Sequence, residues 1–232
     1  MKKLTAFLTA ALMIFVLAAC SGNNADTAPE TSKSEGTADK SNTEPDRSSF
    51  GSSQTDNGDD PSKNGSPDAV KVLVAYFSAT NTTKGVAKTI ADSLGADLYE
   101  ITPEQPYTSE DLNYNNDRSR STIEMNDTNA RPAISGSVEN MEQYDIVFIG
   151  YPIWWSEAPR ILSTFVESYS FSDKTIVPFC TSGGSGVGSS AKNLERLTDG
   201  AVWLPGTRLD GGESSDSVAK WLNGLGLDIT VR

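Results

Sequence analysis

From residue 70 onward, short and nearly continuous apolar runs alternate with stretches of helical periodicity. Val72-Leu73-Val74-Ala75-Tyr76 and Ile146-Val147-Phe148-Ile149 carry no charged position, as expected of strands covered on both faces rather than on one. Val86, Ala87, Ile90, Ala91 and Leu94 recur at spacings of one, three and four, and Ile161, Leu162, Phe165 and Val166 do the same. Each set makes the apolar stripe of an amphipathic helix. The pattern predicts five strands, at 70–77, 96–101, 144–151, 175–180 and 201–204. It predicts helices at 83–94, stopped by Gly95, at 159–169, opened by Pro159, and at 189–197 and 215–225. Strands alternating with helices in this way give an α/β domain with a parallel sheet between two helical layers. Only residues 102–136 break the rhythm, with a polar, Asn-rich and Arg-containing insertion. A loop that long inside a compact domain is more often functional than idle.

The first 68 residues do not follow the pattern. Residues 1–20 have a basic start (Lys2, Lys3), an uncharged apolar run and small residues before Cys20, the layout of an export signal too short to span a bilayer. Leu17-Ala18-Ala19-Cys20 resembles the lipobox of bacterial lipoproteins, which implies cleavage before Cys20 and its acylation. Two or three acyl chains anchor durably, whereas one binds reversibly. The expected location is therefore extracytoplasmic, with the membrane as a partner through the lipid. Residues 21–68 are Ser, Asn, Asp, Thr, Gly, Glu and Pro with one aromatic, Phe50, too few apolar groups to offset the entropy of ordering. They read as a disordered acidic linker, leaving 69–232 as the folded domain.

Charge and composition narrow the chemistry. The chain carries a net charge of −12; the linker contributes −6 and the domain −8, against +2 from the signal. An acidic tether on an acidic domain argues against nucleic acid as a partner. There is no histidine, which removes Ser-His triads and His-ligated metal sites, and no metal site is expected. With Cys20 lipidated, Cys180 stands alone, so no intramolecular disulfide is expected, and the thiol reads as a small core residue.

Three segments at the carboxyl ends of predicted strands carry the candidate site. Ser78-Ala79-Thr80-Asn81-Thr82-Thr83 lies between the first strand and the first helix, where free N–H groups and the positive end of the helix dipole hold an anion. A helix cap needs one hydroxyl or amide; here Ser78, Thr80, Asn81, Thr82 and Thr83 supply five. Gly150-Tyr151-Pro152-Ile153-Trp154-Trp155 follows the third strand. Of its paired indoles one can pack inside while the other lies on a flat ligand, the sequence leaving open which does what and whether both are buried. Cys180-Thr181-Ser182-Gly183-Gly184-Ser185-Gly186-Val187-Gly188 follows the fourth strand, with glycines that let a backbone approach a ligand closely.

Tyr76-Phe77-Ser78-Ala79-Thr80-Asn81-Thr82-Thr83 resembles the FMN phosphate loop of the flavodoxin superfamily, with Asn81 where glycine is more usual. If that position needs a positive φ, Asn is the substitute that tolerates it best. The Pro152-Ile153-Trp154-Trp155 turn and the 102–136 insertion are similar to those of one branch of the superfamily. The resemblance implies a flavodoxin-like doubly wound five-stranded parallel sheet of order 2-1-3-4-5 with helices on both faces. It implies FMN as cofactor, held by Ser78, Thr80, Asn81, Thr82, Thr83, Pro152, Ile153, Trp154, Trp155, Thr181, Ser182, Gly183 and Gly184. In that order the three loops border one crevice, with the insertion expected either to cap it or to act as ion-paired padding. No catalytic residue stands out. The expected function is extracytoplasmic electron transfer to a redox protein or small acceptor. The alternatives are an FMN-dependent quinone, nitro or azo reductase and a flavin-free scaffold.

Overall fold

A computed structural model describes residues 69–232; the expected signal, the Cys20 anchor and the linker lie outside the described residues. Among those described, the elements run β1 (Val72–Tyr76), α1 (Thr82–Leu94), β2 (Asp97–Glu100), β3 (Thr102–Pro103), α2 (Arg120–Asn126), β4 (Ile134–Ser135), β5 (Ile146–Pro152), α3 (Arg160–Glu167), β6 (Thr175–Thr181), α4 (Ser190–Glu195), β7 (Val202–Trp203), β8 (Thr207–Arg208) and α5 (Ser215–Asn223). The main sheet is parallel and ordered β2-β1-β5-β6-β7, with β8 also on β6. Counting β7 and β8 as one interrupted strand, this is the expected 2-1-3-4-5.

Alternation along the three central strands builds two cores. Leu73, Ala75 and Phe77, with Val147, Ile149 and Tyr151 and with Ile176 and Cys180, face one side, where Ile161, Leu162, Phe165 and Val166 of α3 close over them. Val74, Tyr76, Ile146, Phe148, Val177 and Phe179 face the other, under Val86, Ala87 and Ile90 of α1 and Val218 and Leu222 of α5. Successive side chains of a strand point to opposite faces, so a wholly apolar run must be covered twice. Each fully buried Val, Leu, Ile or Phe contributes about 1.5–3 kcal/mol. Gly150 sits in the middle of β5 because its register partner Phe179 lays its ring over it; a Cβ there would meet the ring at 2.2 Å.

The fifth strand departs from expectation by splitting, and two prolines explain the break. Val202 and Leu204 donate to the carbonyls of Lys174 and Ile176, and Leu209 to that of Cys180, each at 2.9 Å. Alternate residues of β6 therefore face this edge, and Pro178 has the same parity but no N–H to offer. Opposite it the chain runs through Pro205 and Gly206, and a Cβ on Gly206 would meet Pro178 at 3.1 Å. Pro159 caps α3 rather than opening its first turn.

Candidate functional site

A cavity of about 470 Å³ opens at the carboxyl ends of β1 and β5, within the range of small-ligand sites. Its walls come from Ala79 and Thr80 after β1, from Pro152, Ile153, Trp154 and Trp155 after β5, and from Leu112, Tyr114 and Ser121 of the insertion. The third loop is tied alongside. Ile153 N–H donates to the Thr181 carbonyl at 3.0 Å, and the hydroxyls of Thr83 and Thr181 share a buried hydrogen bond of 2.8 Å.

The first loop is shaped to hold an anion. Asn81 stands at φ 65°, in the left-handed region, as N-cap of α1, and its side chain makes no capping bond. Its carbonyl receives the Gly85 N–H at 3.1 Å, whereas the N–H groups of Thr82, Thr83 and Lys84 find no acceptor among the described residues. The first turn of α1 holds no acidic side chain, and Lys84 is drawn away to Glu100 at 2.8 Å. The Ser78 hydroxyl is buried with no hydrogen-bond partner among the described residues. A buried polar atom without a partner costs about 1–3 kcal/mol, so loop and hydroxyl together fit a phosphate. Thr80 and Thr82 keep exposed hydroxyls 3.4 Å apart. Thr83 and Thr181 are placed differently: they are 1% and 2% exposed and spend their hydroxyls on each other.

The two indoles take separate tasks. Trp154 is wedged edge-on between Phe77 (5.5 Å, 85°) and Tyr107 (5.2 Å, 82°). Trp155 is 41% exposed and lines the cavity. The chain turns back within four residues, Trp154 and Glu157 exchanging N–H···O bonds of 2.9 Å in both directions. Trp155 and Ser156, at the corner, stand at φ 47° and 65°, a hairpin geometry that normally takes Asn-Gly. The Glu157 carboxylate holds the corner to α4, receiving Ser189 Oγ at 2.9 Å and Asn193 Nδ2 at 2.9 Å.

On the third loop, a Cβ at Gly183, Gly184 or Gly186 would meet nothing within 4 Å, so their backbone is open to a ligand. Ser182 turns inward along its own loop, its hydroxyl bonded to the Ser185 carbonyl and receiving the Gly184 N–H at 3.2 Å. Cys180 is fully buried, and burial pushes its thiol up to about 11, the range of an inert core thiol rather than a nucleophile.

The insertion both caps the cavity and carries ion pairs. Ser121 donates to the Asp111 carbonyl at 2.5 Å, which sets Leu112 and Tyr114 at the mouth. Tyr107 donates to Glu124 at 2.5 Å, Arg120 pairs with Glu124 at 2.7 Å, and the Arg120 guanidinium lies 4.0 Å over the Tyr107 ring. Burial and Glu124 together raise the Tyr107 phenol above its usual range. Residues 102–136 showed no period because such side-chain ties, not an apolar stripe, organise them. Gly211 is a further contributor that pattern reading passed over: it packs on Thr82, where a Cβ would meet Thr82 Cγ2 at 2.5 Å. The Gly211-Gly212 doublet before the last helix was the available signal.

An open parallel sheet of this order, with a phosphate-type loop after its first strand, defines a flavodoxin-like protein. The flavodoxin family model matches residues 71–225, and the chain belongs to that family. Among solved structures it is similar to a candidate flavoprotein from Bacteroides eggerthii, with 50% identity, TM-score 0.65, and coverage of 68% of this chain and 99% of that one. A second candidate flavoprotein, from Bacteroides uniformis, shares 42% identity at TM-score 0.64, covering 67% and 99%. A flavoprotein from Lactobacillus acidophilus, solved in complex with FMN, shares the fold at 22% identity and TM-score 0.51, covering 66% and 99%. No functionally curated protein matches the chain.

Proposed function

We propose that this chain is an FMN-binding flavoprotein that acts in extracytoplasmic electron transfer, held at the membrane by acylated Cys20. The observation that carries the reading is one crevice lined both by Ala79 and Thr80 of an anion-receptive loop and by the exposed indole of Trp155. Asn81 turns the N–H groups of α1 outward for the phosphate, with Ser78, Thr80 and Thr82 as hydroxyl contacts. Gly183 and Gly184 would offer open backbone to the cofactor, and Trp155 would offer it an aromatic face while Trp154 anchors the turn. FMN, once bound, supplies one- and two-electron redox chemistry, and the protein supplies binding, orientation and exclusion of water.

The lining favours a carrier over a reductase. The residues lining the cavity include no carboxylate, lysine or arginine, so no strong proton donor stands ready for an organic substrate. The lipobox and linker add an anchor and reach. The test is the visible spectrum of residues 69–232 after incubation with FMN and gel filtration, followed by anaerobic NADPH. The Bacteroides relatives, whose chains are covered almost completely by this portion, support its use as an independent domain. Retained flavin that NADPH leaves oxidised is the expected result. Turnover with NADPH makes the protein a reductase, and a colourless protein overturns the flavin reading.

A further inference from the structure

Behind the Trp154–Glu157 turn, a second cavity of about 460 Å³ lies between α3, α4 and the insertion. It gathers three arginines, Arg131, Arg160 and Arg196, in a domain whose net charge is −8. Arg131 is already neutralised, because Glu167 receives its Nε at 2.6 Å and its Nη2 at 2.8 Å. The other two have no carboxylate partner among the described residues. Arg160 gives Nη2 to the Met125 carbonyl at 2.8 Å and Nε to the Glu124 carbonyl at 3.4 Å. Arg196 gives Nη1 to Asn193 Oδ1 at 3.0 Å. That leaves Nη1 of Arg160, and Nε and Nη2 of Arg196, without acceptors among the described residues.

The neutral part of the wall points the same way. Ser163 on α3 is 8% exposed and lines the cavity, yet its hydroxyl makes no hydrogen bond among the described residues. The one carboxylate in the wall, Glu157, is occupied by the neutral donors Ser189 and Asn193 and does not quench either free arginine. A guanidinium offers a planar fork of donors that matches a carboxylate or phosphate, and such charge-assisted bonds are about twice as strong as neutral ones.

We propose that this cavity is a binding site for a small oxyanion, a carboxylate- or phosphate-bearing molecule, with Arg160 and Arg196 as its charged contacts and Ser163 as its neutral one. Arg160 and Arg196 against Glu157 leave one unit of positive charge, the complement of a single anionic group. The site is separate from the flavin crevice and does not depend on flavin being bound.

The test is calorimetric titration of inorganic phosphate, and separately of succinate, into residues 21–232, at ionic strength held constant with chloride. It is run with and without saturating FMN, which occupies the anion-receptive loop of α1. The expected result is saturable binding of at least one probe that persists under saturating FMN, in addition to any phosphate that FMN displaces from the α1 loop, and the variants are compared with FMN present. Arg196→Gln should weaken it about tenfold or more, and Ser163→Ala severalfold, as expected for the loss of one charged and one neutral contact. Arg196 is exposed, so its substitution should leave the thermal midpoint in place, and Ser163→Ala gives an independent reading. Stronger binding of phosphate assigns a phosphate-bearing ligand, and stronger binding of succinate a carboxylate. Absence of saturable binding by either probe, binding abolished by FMN, or binding that both variants leave within twofold would overturn the proposal.

Discussion

Replacing Ser156 by glycine should make the flavin-free domain more stable, although it removes a side chain and adds nothing. Ser156 stands at φ 65° beside Trp155 at φ 47°, and a left-handed backbone costs an ordinary residue about 1–2 kcal/mol. Glycine escapes that cost but gives the unfolded chain more freedom, which returns about 0.4–1 kcal/mol. The Ser156 side chain is exposed and makes no hydrogen bond among the described residues, so no contact is lost. The difference is a net gain of roughly 0.5–1 kcal/mol. At about 2–4 °C per kcal/mol for a domain of this size, the midpoint should rise by roughly 1–4 °C. Thermal unfolding of residues 69–232 followed by circular dichroism measures it, with Ser156→Ala as the control that keeps the backbone strain. A Ser156→Gly midpoint equal to or below that of the parent would refute the claim that this corner is strained.

The two tryptophans should separate stability from binding. Trp154→Ala, opening a gap between Phe77 and Tyr107, should cost about 3 kcal/mol in a denaturant titration. Trp155→Ala should leave that titration nearly unchanged while weakening FMN roughly 5- to 150-fold, the worth of one aromatic stack; equal loss of stability in both variants contradicts the assignment. Cys180 should resist a thiol reagent at pH 8 in the folded protein and react only as fast as the domain opens; prompt labelling of the native state would show that its thiol is not buried. Arg131 holds the Glu167 carboxyl below its ordinary range of about 4.5, so the pair adds stability at neutral pH that is lost as pH falls through the lowered value. Both partners are substantially exposed, which keeps the effect under about 1 kcal/mol. Arg131→Gln should therefore be destabilised at pH 7 and match the parent near pH 3, and a loss of equal size at both would remove the ion pair as its cause.

The sheet and its helices were legible because burial on two faces leaves a strong mark. β1, β5 and β6 fall inside or within one residue of the apolar runs that predicted them, and their order matches the flavodoxin resemblance. The fifth strand was only half visible, since Pro205 and Gly206 end the apolar run at Leu204 and the chain then rejoins β6 for two residues. Asn81 was legible only through the resemblance, standing where glycine is more usual, and its φ of 65° meets the condition under which Asn is the best substitute. The roles of Trp154 and Trp155 were not legible, since a Trp-Ser corner has none of the turn chemistry that usually announces positive φ. Thr83 and Thr181 looked like ligand hydroxyls for want of any local sign that two threonines 98 positions apart would bond to each other. The insertion hid its cap in ties such as Tyr107 to Glu124 and Ser121 to Asp111, which have no period to detect.

The interrupted fifth strand also changes what one border of the sheet presents to its surroundings. A continuous edge strand presents a row of unpaired N–H and C=O groups on which a second sheet can grow, and proteins that expose one are prone to aggregate. Here that border offers two segments of two residues, β7 and β8, parted by Pro205 and Gly206, and a proline has no N–H to contribute. This border therefore offers no continuous ladder on which a second sheet could grow, whereas the opposite edge, β2, keeps four continuous residues.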